Sequence, residues 1–259
     1  MYEVPKEQMK CIMSLFKGWE ETLIWSCLEG YMGKAWTNNL GKPQVALIII
    51  GDFAFLAGNS DLVQTETLVK VIQEKGKKPH LLLIPQDKKW GDWIEKVYGE
   101  KVEQTMRYAT KKEPHVFDKK KLESFVKLLP RGFELKPIEK ELYEKVQKEE
   151  WCQDLCSQFP TYQEYEQLGI GFCILHEGKV VSGASSYTVY SRGIEIEIDT
   201  HEAYRKKGLA TVCAAQLILA CLEKGLYPSW DAASKISISL AEKLGYHLAY
   251  EYTTYILNQ

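Results

Sequence analysis

The sequence predicts a mixed α/β (α+β) fold on three observations. Short apolar runs recur between segments of helical spacing. Gly and Pro punctuate the transitions, and the stretch 194–199 alternates strictly between aliphatic and acidic side chains. At 259 residues, with 45% hydrophobic and 26% charged residues, the chain has a globular composition and enough length to bury a core. That length allows one large domain or two small ones.

In chain order, the first half reads as a helix over 6–31, apolar strands at 44–50 and 53–57, and a helix over 60–75. A strand at 80–84, a helix over 86–98, a strand at 103–110 and a helix over 118–129 follow. Charged stretches broken by Pro and Gly at 111–114 and 129–132 mark boundaries, so the expected domains are 1–130 and 131–259. The second part opens with a strand at 133–138 and helical spacing over 139–168, interrupted at Phe159-Pro160. Three strands joined by turns at 176–179 and 191–193 then form a meander that ends in the alternating segment.

The charge balance, 33 Lys+Arg against 35 Asp+Glu, gives a net charge of -2 and no global basic field, so neither nucleic acid nor an anionic membrane is an expected partner. The part from 131 onward carries 13 Lys+Arg against 18 Asp+Glu, an acidic surplus that favours a cationic amine over an anionic substrate. The longest apolar run, 45–50, is far short of the ~18 residues of a membrane span, and residues 1–5 lack a basic leader, which points to a cytoplasmic protein. The seven cysteines are scattered through apolar stretches without metal spacing, so they read as reduced core residues, and no metal is expected.

The most informative segment is Asp199-Thr200-His201-Glu202-Ala203-Tyr204-Arg205-Lys206-Lys207-Gly208-Leu209-Ala210, which joins the alternating strand to a helix running to about Lys224. Such a loop offers unpaired N–H groups, the positive end of a helix dipole and three cationic side chains at one place where a pyrophosphate could sit. Gly208 lets backbone approach closely.

This segment resembles the Arg/Gln-x-x-Gly-x-Gly/Ala loop of the GNAT superfamily of acyl-CoA-dependent N-acyltransferases, here Arg205-x-x-Gly208-x-Ala210. The meander before it, and the strand 226–230, the helix ending near Gly245 and the strand 248–257 after it, match that family's order over 131–259. The resemblance implies a mostly antiparallel mixed sheet flanked by helices. The whole chain is similar to the two-lobed branch that includes zwittermicin A resistance acetyltransferase. Its first half repeats the order of elements, as a degenerate copy of the fold would, but without the loop, so no coenzyme binding is expected there.

The resemblance further implies acetyl-CoA as co-substrate and direct attack by a primary amine of a small molecule. A protein or peptide acceptor, or a non-catalytic acyl-CoA-binding module, remains open. Ile198 and Thr200 would offer backbone groups to the acyl arm, while Arg205, Lys206, Lys207, Gly208, Leu209, Ala210 and Thr211 wrap the pyrophosphate and Ser234 meets the pantetheine. Glu195 and Glu197 share the polar strand face and are the expected proton acceptors for the ammonium. Asp199, nearer the loop, ranks behind them. Ala241 stands where the family often has a Tyr acid, leaving Tyr246 and Ser237 as substitutes. Trp151, Phe159, Tyr162, Tyr165 and Trp230 are candidates for the acceptor wall.

Overall fold

The expected mixed architecture is present: two sheets flanked by helices, described in a computed structural model for residues 1–76 and 78–258. The chain begins with β1 (Tyr2–Glu3), a 3-10 helix (Lys6–Phe16), α1 (Thr22–Leu28), β2 (Lys34–Thr37), β3 (Val45–Ile50) and β4 (Phe53–Gly58). It continues through α2 (Thr65–Lys75), β5 (His80–Pro85), α3 (Lys88–Tyr98), β6 (Val102–Thr110), α4 (Lys119–Val126), β7 (Phe133–Pro137) and α5 (Lys140–Val146). After a 3-10 turn (Gln153–Leu155) come α6 (Tyr162–Leu168), β8 (Gly171–His176), β9 (Lys179–Tyr190) and β10 (Gly193–Thr200). A second 3-10 turn (Glu202–Tyr204) leads to α7 (Leu209–Glu223), β11 (Tyr227–Ser229), β12 (Asp231–Ala232), α8 (Lys235–Leu244) and β13 (Leu248–Asn258). No helix among the described residues is long and apolar enough to cross a membrane.

Contacts divide the chain into Met1–Arg107 with residues 251 onward, and Tyr108–Tyr250. The division falls at 107/108 and 250/251, against an expected break near 130. Packing, not the Pro-Gly punctuation, sets it: α4 lies against α7 in the second unit, while the greater part of β13 pairs into the first unit's sheet.

In the first unit, strands run in the order β1-β2-β3-β4-β5-β13-β6, with β4 and β5 parallel and β2–β3, β3–β4 and β5–β13 antiparallel. β3 is buried along its length and β4 as far as Ala57, which is why both read as continuous apolar runs. Their core is completed by Leu68, Val69 and Ile72 of α2 and by Trp90 and Ile94 of α3. The single helix expected over 6–31 is broken in two. The 3-10 helix ends at Phe16, Gly18 takes a left-handed φ of 81°, and α1 restarts with the Glu21 carboxylate accepting from Leu23 N at 3.4 Å.

The second unit carries the five-stranded sheet β11-β10-β9-β8-β7. Its four meander strands are antiparallel, and β11 returns parallel to β10 after the α7 crossover. α7 is apolar almost all round because it is covered twice, by β8, β9 and β10 and by α4 and α8. Each Leu or Ile it buries contributes roughly 1.5–3 kcal/mol, so the helix start is held firmly at the end of β10.

Candidate active site

β10 and β11 share register at only three positions: Gly193 with Tyr227, Ile194 with Pro228 and Glu195 with Ser229. The chain then turns away through Trp230, and Asp231 and Ala232 pair instead with Ala109 and Tyr108 of β6. Among the described residues, one edge of β10 therefore lacks a strand partner from Ile196 to Thr200, while β9 covers the other. Glu195 lies in this fork. It is only 4% exposed, and its Oε1 accepts from Asp231 N at 2.6 Å, so a carboxylate bonds an amide where the ladder has ended. Glu195, which alternation puts on the face of Glu197, is not at a solvent edge: Asp231 of β12 bonds it there.

The two faces of β10 meet different surroundings. Thr200 and Ile198 stand opposite Ser182 and Ala184 of β9, and the Thr200 and Ser182 hydroxyls bond at 2.8 Å on the side where Ser182 meets Cys213 of α7. Glu197 and Asp199 stand opposite Ser185 and Gly183. That face is covered by Leu155, which lies where a Gly183 side chain would be, and by Tyr165, whose hydroxyl bonds Ser185 Oγ at 2.9 Å. Glu197 is half-buried, and its Oε1 accepts from Ile198 N at 3.2 Å. Asp199 is half-buried too. Desolvation first, and then the negative charge of Asp154, raises its carboxyl to about 6 against the opposing pull of Arg205.

The loop beyond β10 leaves its amides open. Gly208 has φ 79°, with no atom within 4 Å of where a Cβ would stand, and Lys206 also adopts a left-handed φ of 62°. Among the described residues, the backbone N–H groups of 206–211 bond no acceptor; the first α7 amide to find one is Val212, on Gly208 O. Arg205 Nε donates to Thr200 O at 3.3 Å, and Lys207 Nζ sits 4.7 Å from the centre of the Tyr204 ring, while Lys206 is exposed. Leu209 and Thr211 pack their side chains inward and Ala210 is half-buried, so these three offer backbone rather than side chain. A cradle of free amides at a helix start, with cations around it, fits a pyrophosphate.

The remaining candidates separate by burial. The Ser234 hydroxyl caps α8, accepting from Ser237 N at 3.2 Å. Tyr246 is 1% exposed and donates its proton to Pro228 O at 2.6 Å, which removes it from consideration as an acid. Ser237 accepts from Trp230 Nε1 at 3.1 Å, and Ala241 lies on the buried face of α8. Phe159, Tyr165 and Trp230 are core residues; Tyr162 is half-buried, with its hydroxyl on Glu166 at 3.1 Å. Trp151, also half-buried, meets His201 edge-on at 5.2 Å. Burial pushes the thiols of Cys152, Cys156 and Cys213 up to about 12, leaving them as protonated core groups. The environment of Asp199 is what the strand pattern did not disclose, because Asp154 reaches it from a separate turn.

The profile of the GNAT acetyltransferase family matches residues 13–255. An uncharacterized N-acetyltransferase, YdfB of Bacillus subtilis (strain 168), is 33% identical over 191 residues, covering 71% of this chain and 68% of that protein. The crystal structure of a GCN5-related N-acetyltransferase-like protein from Streptococcus suis 89/1591 superposes with a TM-score of 0.89 at 49% identity, covering 96% of this chain and 98% of the other. A tandem GNAT protein from the clavulanic acid biosynthesis pathway shares the fold at a TM-score of 0.51 and 10% identity, over 86% of this chain and 82% of its own.

Proposed function

Since the chain belongs to the GNAT acetyltransferase family and is therefore an acyltransferase, we propose that it transfers acetyl from acetyl-CoA to a primary amine of a small molecule, using the open edge of β10 and the loop after it. The observation that carries this reading is the set of backbone N–H groups at 206–211 that bond no described acceptor, at the start of a buried helix. The pyrophosphate lies on these amides, with Arg205, Lys206 and Lys207 supplying positive charge. Gly208 keeps the approach clear, because any side chain there would stand in the space the phosphates need.

Toward the reacting end, Ile198 N is the donor suited to the thioester oxygen. Among the described residues no strand pairs with β10 on that edge, and Ile198 N bonds Glu197 Oε1 until the donor arrives. A fixed N–H aimed at the developing oxyanion stabilises the tetrahedral intermediate. Displaced from that amide, Glu197 joins Asp199 in a half-buried acidic face that attracts the acceptor's ammonium ion. The amine attacks the thioester carbon directly, and the thiolate of CoA leaves.

Titration calorimetry of acetyl-CoA into the full-length protein tests the donor site, with micromolar binding expected; no heat at millimolar ligand would sink it. Thiol release from acetyl-CoA over a panel of polyamines, amino sugars, amino acids and peptide N-termini then tests the acceptor class. Turnover confined to peptides would replace the small amine with a protein acceptor.

A further inference from the structure

A group that takes a proton from an ammonium ion must be ionised at the working pH and yet hold the proton well enough to receive it. Three carboxylates share the relevant face of β10, and their surroundings differ. Glu195 is buried in the fork and bonds Asp231 N at 2.6 Å. Glu197 bonds Ile198 N at 3.2 Å. A backbone N–H donated to a carboxylate stabilises its ionised form and weakens it as a base. The Asp199 carboxylate accepts no hydrogen bond from the described residues, although its backbone carbonyl accepts from Ser182 Oγ at 3.1 Å. Leu155 covers the neighbouring Gly183 opposite it on β9; the 3-10 turn that carries Leu155 packs against β10, and Asp154 of that turn acts on Asp199 as a negative charge.

Resting on the donor reading above, we propose that Asp199, with Asp154 behind it, takes the proton from the acceptor's ammonium, in place of Glu195 or Glu197. The surrounding groups support this. Asp154 repels the Asp199 charge from the 3-10 turn, where Ser157 Oγ donates to its Oδ1 at 2.7 Å. Cys152, in the same segment, is a protonated thiol and contributes no charge. From the loop, Arg205 attracts the Asp199 carboxylate and keeps it ionised in the resting enzyme, while its Nε stays on Thr200 O. Glu197 shares the face from the same strand, and His201 follows Thr200 against Trp151. Desolvation and Asp154 together outweigh Arg205 and leave the carboxyl at about 6, within reach of neutral pH.

The ammonium R–NH3⁺ gives one proton to Asp199, becoming R–NH2 beside a neutral carboxylic acid. The nitrogen lone pair forms the new C–N bond, the C–S bond breaks with its electron pair on sulfur, and the second N–H proton leaves the intermediate to make CoASH. Asp199 then returns its proton to water, so the products are R–NH–CO–CH3, CoASH and one proton.

Two measurements on the full-length protein test this. In the first, carboxyl carbons of aspartate are followed by NMR from pH 4 to 8. One resonance should titrate near 6, disappear in Asp199→Asn and move to lower pH in Asp154→Asn. In the second, thiol release with the best amine of the panel is followed against pH. Asp199→Asn should lose about 10²–10⁴-fold in turnover together with the acidic limb, while retaining wild-type acetyl-CoA affinity by calorimetry. Asp154→Asn should shift that limb to lower pH. Glu195→Gln and Glu197→Gln should each retain it. A limb that follows either glutamine variant overturns the assignment, as does an Asp199→Asn enzyme with near-wild-type turnover or the absence of any aspartate titrating above pH 5. Silence across the panel from a wild type that binds acetyl-CoA also overturns it, whereas failure to bind acetyl-CoA would overturn the donor reading beneath it.

Discussion

The two units repeat one arrangement, an antiparallel hairpin followed by a crossover helix and a parallel strand, and they finish it in opposite ways. In the first unit, β3–β4–α2–β5, the parallel pair runs through Leu56 and Pro85, and Gln86 then closes the strand end. Its Oε1 accepts from Gly58 N at 3.0 Å while its Nε2 donates to Leu15 O at 2.7 Å. Trp90 Nε1 donates to Gly58 O at 3.0 Å and Trp93 Nε1 to Ser60 O at 2.9 Å, so side chains satisfy the loop's backbone. In the second unit, β9–β10–α7–β11, the parallel pair stops after three positions and the amides at 206–211 are left open. The same skeleton is thus closed or left open according to whether its own side chains satisfy the loop.

The comparison breaks most readily at Gly208. Gly208→Trp fills the cradle and forces a left-handed φ on a bulky residue, so acetyl-CoA affinity should fall by 10²-fold or more in calorimetry, with a stability loss of only about 1 kcal/mol. Unchanged affinity would mean that the open amides do not hold the donor. Glu195→Ala leaves Asp231 N without its acceptor in the fork. Denaturant unfolding should show a loss of about 1–3 kcal/mol, and Glu195→Gln, which retains an acceptor oxygen, should lose less.

Asp199→Asn should act in the other direction. A carboxyl held near 6 in the folded protein and near 4 when unfolded binds its proton more tightly in the fold, so stability falls as pH rises from about 4 to about 6. The neutral variant escapes that loss. It should be more stable than wild type by on the order of 2 kcal/mol at pH 8 and equal to it below about pH 4, as read from unfolding curves at both pH values. The smallest effect belongs to the closed loop: Gln86→Ala should cost about 1 kcal/mol and leave acetyl-CoA binding untouched. A change in that binding would show that the first loop is not merely a strut.

The sequence made the second unit's meander and loop legible because their information is local. Alternation over 194–199 gives the face of each carboxylate, and a glycine before an apolar helix marks the open amides. What covers each face was not legible. Asp231 reaches Glu195, and Asp154 reaches Asp199, from segments far away in the chain, so a strand-face argument treats both carboxylates alike although one bonds an amide in the fork and the other meets a like charge. The same holds for Tyr246, whose hydroxyl donates to Pro228 O of another element. In the first unit β1 and β2, with two and four residues, are too short to show a period, and helical spacing over 6–31 conceals the stop at Gly18.

The place of β13 governs how the protein can be made. In the first unit's sheet it lies between β5 and β6 as an interior strand, with Tyr255 and Leu257 buried in that core. On the ribosome, residues 1–107 therefore emerge with the place between β5 and β6 vacant, and it stays vacant until the whole of 108–250 has been synthesised. The closed unit is thus the later of the two to mature. The strand edges on either side of that place stay unpaired in the interval, so residues 1–107 expressed alone should aggregate, which light scattering would show.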